Sequence, residues 1–389
     1  MNNEGIILVL PSWYPSEVDP TSGDFVQRHI DAISAFRKQY VIHVIKDENA
    51  SITNDIKEVF TQKHNYSELV IYYHIQKTGI STLDQFRSDY KYQLIYKKAI
   101  KKFIEKQGAP SLVHVHVAMK AGLLACWIKR KFSILFIVSE HSTAYLPEAD
   151  VQIHNYGNIF KKRTQKILKE SSLVTVVSKW LGKAIEKDFP FIKWVCIPNV
   201  YNSEIFFHEN RKRLIPPVFV HASIMNFQKN TEGIIHAFKK VKEAGKDFIL
   251  KLFGPVNEKI VRLIEIEALS KNVMVEGDAS QQDLAKAIRE SEAVIINSRF
   301  ETFGCVIIEA NACGIPAVVT DIPVFHEIIK ENTNGIFVPE NDPAQLAKAI
   351  INFIDGKYAF DKNKICASTE KYNYENVGRQ FNEVYRDIH

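Results

Sequence analysis

Long apolar runs are missing from this sequence. The longest lies near Ile134–Val138 and is far too short to cross a bilayer. Cysteine is scarce: five residues (Cys126, Cys196, Cys305, Cys313 and Cys366), odd in number and scattered, with no Cys-x-x-Cys pair. That excludes a disulfide framework and the usual zinc spacing, and leaves reduced, mostly buried thiols as the expectation. No Asp-x-Asp occurs, so the common carboxylate clamp for a divalent metal on a diphosphate is absent. No Gly-x-Gly-x-x-Gly follows the first apolar segment; Leu10-Pro11-Ser12-Trp13 stands there, which argues against a nicotinamide dehydrogenase. There is no low-complexity tract and no repeat of solenoid length. Glu4 precedes the first short apolar run and no basic start is present, so this segment is expected to be a first strand and not a secretory leader, and the protein to be cytoplasmic.

What is present is an ordinary globular composition, 46% hydrophobic and 24% charged, in a chain of 389 residues, too long for one core and suited to two domains. The net charge of +5 is unevenly placed: residues 1–205 carry 27 basic against 20 acidic residues, and residues 206–389 carry 23 against 25. Lys97, Lys98, Lys101, Lys102 and Lys106 fall on one predicted helix. They are read either as a solvated helix face or as a patch facing an anionic membrane leaflet. Nucleic acid is not expected, since no stacking aromatics interleave with them.

Short β-branched runs alternate with helix-length stretches throughout. Expected strands include 6–10, 41–45, 112–116, 135–138, 173–177, 218–222, 248–253, 273–276, 293–296 and 317–320, and expected helices include 25–36, 230–244 and 281–290. This alternation predicts an α/β fold with parallel sheets covered on both faces. Linker chemistry at 198–217, with Arg211-Lys212-Arg213 and Pro216-Pro217, divides the chain into 1–205 and 206–370. The segment 371–389 is expected to form a helix with Val377, Phe381, Val384 and Ile388 on one apolar face, returning to the first domain.

The segment 295–320, IINSRFETFGCVIIEANACGIPAVVT, carries the chemistry. A buried strand ends near Asn297, a loop holds Glu301, Thr302, Phe303 and Gly304, and a helix beginning near Cys305 carries Glu309. Open α/β sheets bind ligands at the carboxyl ends of their strands. Gly304 permits close backbone approach, and the following helix end offers N–H groups to an anion. Glu309, among Ile307, Ile308, Ala310 and Ala312, is a charge that needs a partner. The plainer alternative is a solvated loop glutamate and a helix-surface glutamate. His141, after a strand, is either hydrogen-bonded filler or a group facing an interdomain cleft. Lys229 is either a surface lysine at a helix start or an anion ligand. His114 and His116 are expected to point to opposite faces of their strand and to be structural.

These motifs together resemble glycosyltransferase family 4, retaining enzymes of the GT-B fold with two Rossmann-like domains facing a cleft. The glutamates match its E-x7-E signature. PSWYP (11–15), SGDFVQRH (22–29), HVHVAMKAGLLA (114–125), SEHST (139–143), VSKW and IPNV follow in the family's order, so the resemblance covers nearly the whole chain. It implies that Glu309 holds a ribose and Glu301 the transferred sugar. Phe303, Gly304, Thr302, Cys305 and Asn230 would bind the donor, Gly23 would approach its phosphates, Lys229 would neutralise the leaving diphosphate, and His141 would touch the sugar. The chain departs from the family in lacking an arginine a few residues before Lys229, where Ser223, Ile224, Met225 and Asn226 stand.

The reaction implied is retaining transfer from a nucleotide-diphosphate sugar, by default a UDP-sugar, to a glycan or lipid-linked glycan, with no metal or other cofactor. PSWYP resembles enzymes of bacterial surface-polysaccharide assembly, in keeping with lipopolysaccharide or capsule and a place on the inner face of the cytoplasmic membrane. Two other readings stay open: a nucleotide-sugar epimerase, which would need no acceptor, and a non-enzymatic bilobed ligand-binding protein.

Overall fold

The computed structural model describes residues 5–388; Glu4, used above, lies outside them. Among the described residues fourteen strands form two sheets. The first sheet contains β1 (Ile7–Pro11), β2 (Gln39–Lys46), β3 (Ile56–Gln62), β4 (Tyr66–Tyr73), β5 (Leu112–His116), β6 (Phe136–Glu140), β7 (Val174–Val176) and β8 (Trp194–Cys196). The second contains β9 (Val218–Ala222), β10 (Ile249–Phe253), β11 (Val273–Gly277), β12 (Ala293–Ile296), β13 (Ala317–Thr320) and β14 (Gly335–Val338). The helices are α1 (Asp24–Ser34), α2 (Ser81–Gln107), α3 (Gly122–Phe132), α4 (Asn158–Glu170), α5 (Lys179–Asp188), α6 (Thr231–Glu243), α7 (Glu258–Ile266), α8 (Gln281–Arg289), α9 (Cys305–Ala312), α10 (Pro343–Ile354), α11 (Lys362–Ala367) and α12 (Tyr374–Asp387).

The order of the second sheet, β11-β10-β9-β12-β13-β14, is that of a Rossmann fold, with its switch point between β9 and β12. The first sheet, β3-β4-β2-β1-β5-β6-β7-β8, switches between β1 and β5. Every pairing but one is parallel. The exception corrects the all-parallel expectation: β3 runs antiparallel to β4 and closes the edge, with Val59 opposite Val70. A connection of only three residues, Lys63–Asn65, separates them, which suits a hairpin and is too short for a crossover. Apolar side chains facing both ways, such as Leu8 and Leu10 on one side of β1 and Ile7 and Val9 on the other, are fully buried, as strands covered on both faces require.

Two chain crossings join the halves. Outgoing Tyr201 pairs with returning Asn373 as an isolated bridge, with Tyr201 N–H donating to the Tyr372 carbonyl at 3.1 Å. After this crossing α12 lies on α1. Its buried face is Val377, Gly378, Phe381, Asn382 and Tyr385. Tyr385, not Val384 or Ile388, is the deep anchor, because its hydroxyl finds a buried partner, His114 Nδ1, at 2.7 Å. Arg37 Nε donates to Asn382 Oδ1 at 2.6 Å. Gly378 is where the helices touch: a Cβ there would run into the Ala32 carbonyl and Phe36. Gly378→Ala is therefore expected to lift α12 and lower stability by about 1–3 kcal/mol, read as a fall in the midpoint of thermal unfolding; an unchanged midpoint would show that this contact carries no strain.

Candidate active site

The carboxyl ends of β9 and β12, the switch point of the second sheet, open onto a cleft of about 230 Å³. From this sheet come Ser223, Gln228, Lys229, Ser298, Glu301, Thr302, Phe303, Gly304 and Cys305; from the first domain come Phe25, His141, Thr143 and Asn199. Most of the residues singled out in the sequence meet here. Gly23, Asn230 and Glu309 do not line the cleft itself.

Gly304 turns the chain from loop into α9 with φ of 134°, a conformation suited to glycine, and an added Cβ would press on Ile307 at 2.9 Å and Phe325 at 3.1 Å. Phe303 turns its ring inward against Tyr372, centroids 5.6 Å apart, leaving its backbone at the cleft. Burial raises the Cys305 thiol to about 12, so it lines the cleft as a neutral group. Gly23, φ 68°, lies where a Cβ would strike the Trp13 carbonyl at 2.5 Å, and it opens α1 next to the first loop. Asn230 sits in the left-handed region, φ 49°, at the start of α6, below the cleft surface.

Glu301 is 8% exposed and collects three donors: Ser298 Oγ at 2.9 Å, Gln228 Nε2 at 3.2 Å, and the Lys229 ammonium, which ion-pairs with it. Gln228 and Ser298 drew no notice in the sequence, although each is a close chain neighbour of a residue that did.

Glu309 is 1% exposed. Burial raises its carboxyl, and the Arg28 guanidinium pulls it back down. Arg28, from α1 in the other domain, ion-pairs with Glu309 Oε1 and bridges to Asp24 Oδ2 at 2.8 Å. The need for a partner was legible in the sequence; its source was not, because 281 residues separate the two. A second contact crosses the cleft. Glu327 accepts from the N–H groups of Lys179 at 2.8 Å and Trp180 at 2.7 Å, so a second-domain carboxylate caps the amino end of α5.

His141 stacks between Phe25, 4.7 Å away by centroids, and His116, 5.7 Å away. Behind it lie His29 and His114. The rings of His114 and His116 are 4.1 Å apart and share a face, correcting the expectation of opposite faces: residues two apart on a strand point the same way. His29, His116 and His141 each keep a buried ring nitrogen without a protein partner, and ligand atoms of the three lie within 4.8 Å of one another. Burial lowers His29 and His43 to about 4 and His114 to about 3, and holds His116 and His141 well below the usual range. The cluster is a neutral, tightly packed floor under the cleft.

A family model described as "Glycosyl transferases group 1" matches residues 202–375, and one described as "Glycosyltransferase Family 4" matches residues 58–204. An uncharacterized glycosyltransferase of Methanocaldococcus jannaschii is 26% identical over 335 residues, 84% of this chain and 87% of that one. Among solved structures, sucrose-phosphate synthase from Thermosynechococcus elongatus superposes with a TM-score of 0.74 at 17% identity over 98% of both chains. Anabaena HepE in complex with UDP and glucose superposes with a TM-score of 0.72 at 16% identity, over 98% of this chain and 100% of that one. Two facing Rossmann-like sheets of this order make the fold GT-B. The chain belongs to the group 1, family 4 glycosyltransferases, and it is a transferase of that kind.

Arg28→Ala would strand Glu309 as an unpaired buried charge, a loss of about 3 kcal/mol to the closed arrangement. It is expected to open the cleft and enlarge the radius of gyration in X-ray scattering, with Glu309→Gln in the same chain restoring most of the wild-type value; no enlargement would mean the pair does not hold the domains. The histidines predict an acid limb. Their folded pKa values lie below the usual 6.5, so their full contribution is present above that pH. As pH falls from there towards 4 the unfolded chain takes up protons that the native state refuses, at about 1.4 kcal/mol per pH unit per histidine. Thermal midpoints should be level above about pH 6.5 and fall steeply by about pH 5; a level curve throughout would sink this account.

Proposed function

We propose that this enzyme is a retaining glycosyltransferase that moves a sugar from a nucleotide-diphosphate sugar, UDP in the first instance, to a glycan or lipid-linked glycan, without a metal. The observation that carries this reading is the convergence, at the switch point of the second sheet, of Glu301, Lys229 and the amino end of α9, with Glu309 buried one turn behind. The similarity to HepE, a structure holding UDP and glucose, supports the choice of nucleotide.

In this reading residues 206–370 bind the donor and residues 1–205 the acceptor. Glu309 accepts from the ribose hydroxyls, for which Arg28 yields part of its hold on the carboxylate. Glu301 accepts from hydroxyls of the transferred sugar. The backbone at Phe303 and Gly304, beside Thr302 and Cys305, faces the diphosphate, with Gly23 and Asn230 bounding the phosphate end. His141 meets the sugar from the opposite wall. As the anomeric carbon–oxygen bond breaks, negative charge grows on the leaving diphosphate, and Lys229 with the α9 helix end stabilises it. The acceptor hydroxyl bonds to the anomeric carbon on the face the leaving group vacates, and its proton passes to the departing phosphate oxygen. Arg28 supplies, from the other domain, positive charge near a site that lacks the family's arginine ahead of Lys229. Closure of the two domains over the donor keeps water from the reacting carbon.

UDP, other nucleoside diphosphates and their sugar conjugates, each tested without metal, decide the donor. At 100 times its Kd the cognate ligand adds about 2.7 kcal/mol of stability, a clear rise in the unfolding midpoint. Glu309→Ala is expected to abolish that rise, and Lys229→Ala to lower kcat/KM by about a hundredfold or more while the fold persists. A rise that survives in Glu309→Ala would move the ribose elsewhere, and no rise with any nucleotide would overturn the reading.

A further inference from the structure

The switch point of the first sheet opens onto its own pocket, between α2 and α4. Ser12 and Trp13 follow β1 in its wall, Val117 follows β5, and Tyr92, Tyr156 and Phe160 line it with aromatic surface. Its rim is pinned by Asp89 of α2, which pairs with Lys120 at 3.1 Å and with Arg163 of α4 at 3.7 Å.

The outer surface beside this rim is unusual. The first two turns of α2 stand clear of the domain, and Ile80, Leu83, Phe86, Tyr90 and Leu94 are exposed, Phe86 by 69%. Leu83, Tyr90, Leu94 and Lys101 are spaced by seven, four and seven residues, so they form one stripe along the helix, apolar at its amino end and basic beyond. Across the pocket mouth, Tyr156 and Ile159 at the start of α4 are exposed, Ile159 by 71%. The two helices are strongly basic: α2 holds seven Lys and Arg against three acids, and α4 five against one. Two of the acids on α2 are already engaged, Asp84 with Thr78 and Asp89 with Lys120 and Arg163. The lysines expected to form a basic patch divide accordingly. Lys97 lies over the Trp127 ring at 5.8 Å and Lys102 reaches Glu58 at 3.4 Å, while Lys98 and Lys101 stand exposed.

We infer that this face seats the enzyme on an anionic bilayer, with Leu83, Phe86, Tyr90, Leu94 and Ile159 entering the headgroup boundary and Lys98, Lys101, Lys162 and Lys166 lying on anionic headgroups. Apolar area together with basic charge is what interfacial binding requires, each basic residue near the surface adding about 1 kcal/mol. The pocket mouth then opens at the membrane, where the headgroup end of an amphiphilic acceptor reaches Trp13 and Tyr92 while its tail stays in lipid. This rests on the proposed reading of a lipid-linked acceptor and adds the surface that delivers it.

The test is co-sedimentation of the full chain with phosphatidylcholine vesicles, with and without phosphatidylglycerol. The wild type is expected to pellet with the anionic vesicles and to be released by salt. A chain carrying Leu83→Ser, Phe86→Ser, Tyr90→Ser and Leu94→Ser should lose about tenfold or more of that partition. A control with Val256→Ser and Ile266→Ser, equally exposed on the second domain, should lose none. A wild type that stays in the supernatant, a fourfold variant that pellets like the wild type, or a control that loses as much would overturn the inference. The nucleotide-dependent rise in thermal stability is read on the same proteins and is expected to be the same in all of them. Failure of the membrane surface is thereby separated from failure of the nucleotide-sugar reading.

Discussion

The structure turns on one buried charge that its own domain does not satisfy. Glu309 sits on a short helix between apolar neighbours, nearly out of reach of water, and an isolated carboxylate there would be driven to the neutral form. Its partner, Arg28, belongs to the other domain. The geometry of the second domain's site is therefore coupled to closure: the domains cannot part without exposing Glu309 or leaving it unpaired. The Glu327 cap on α5 works in the same direction through the partial positive charge of a helix amino end. Under the proposed reading a ligand hydroxyl arriving at Glu309 would compete with Arg28, and occupancy of the site and the angle between domains would be linked by a single carboxylate. Such linkage needs no long pathway, only one group whose two partners belong to different bodies.

Around that pair, rigidity and freedom are distributed unevenly. The paired crossing at Tyr201 and Asn373 is narrow enough to act as a hinge, yet α12, which follows it, is anchored deeply in the first domain by Gly378, Phe381 and Tyr385. The tail thus holds the hinge at one end while leaving the cleft to open at the other. The neutral histidine floor contributes stiffness of a different kind. Closely packed rings with unpartnered nitrogens tolerate neither protonation nor displacement, which fixes His141 on the wall opposite Glu301.

Much of this was legible in the sequence. Continuous β-branched runs marked the buried parallel strands, and those named from the pattern all occur, with ends displaced by a few residues. The E-x7-E segment marked the loop and helix at the second domain's cleft, since they are local: a glycine, a helix end and two carboxylates within nine residues. What escaped was non-local or atypical. The edge strand β3, IKEVFTQ, is half polar because it is covered on one side only, and its pattern is weak. Trp194–Cys196 is too short for a period to show. Arg28 lies within SGDFVQRH, but no spacing rule joins it to Glu309. The face error at His114 and His116 was one of geometry: a step of two along a strand preserves the face.

The two switch points give the final constraint. In each sheet the strands part where the connections change direction, between β1 and β5 in one and between β9 and β12 in the other, and each gap is lined by the residues that follow those strands. The two linings differ in character. One is lined by Glu301, Lys229 and a helix end; the other holds Glu140 and Lys120 among aromatic rings and opens beside an exposed apolar stripe. His141 and Phe25 extend from the first domain into the second domain's cleft, while their neighbours Trp13, Glu140 and Ser142 line the other gap. A group passed between molecules held in the two gaps would travel past Phe25 and His141, so the buried rings of His29 and His116 that pack against His141 would also hold that wall in place.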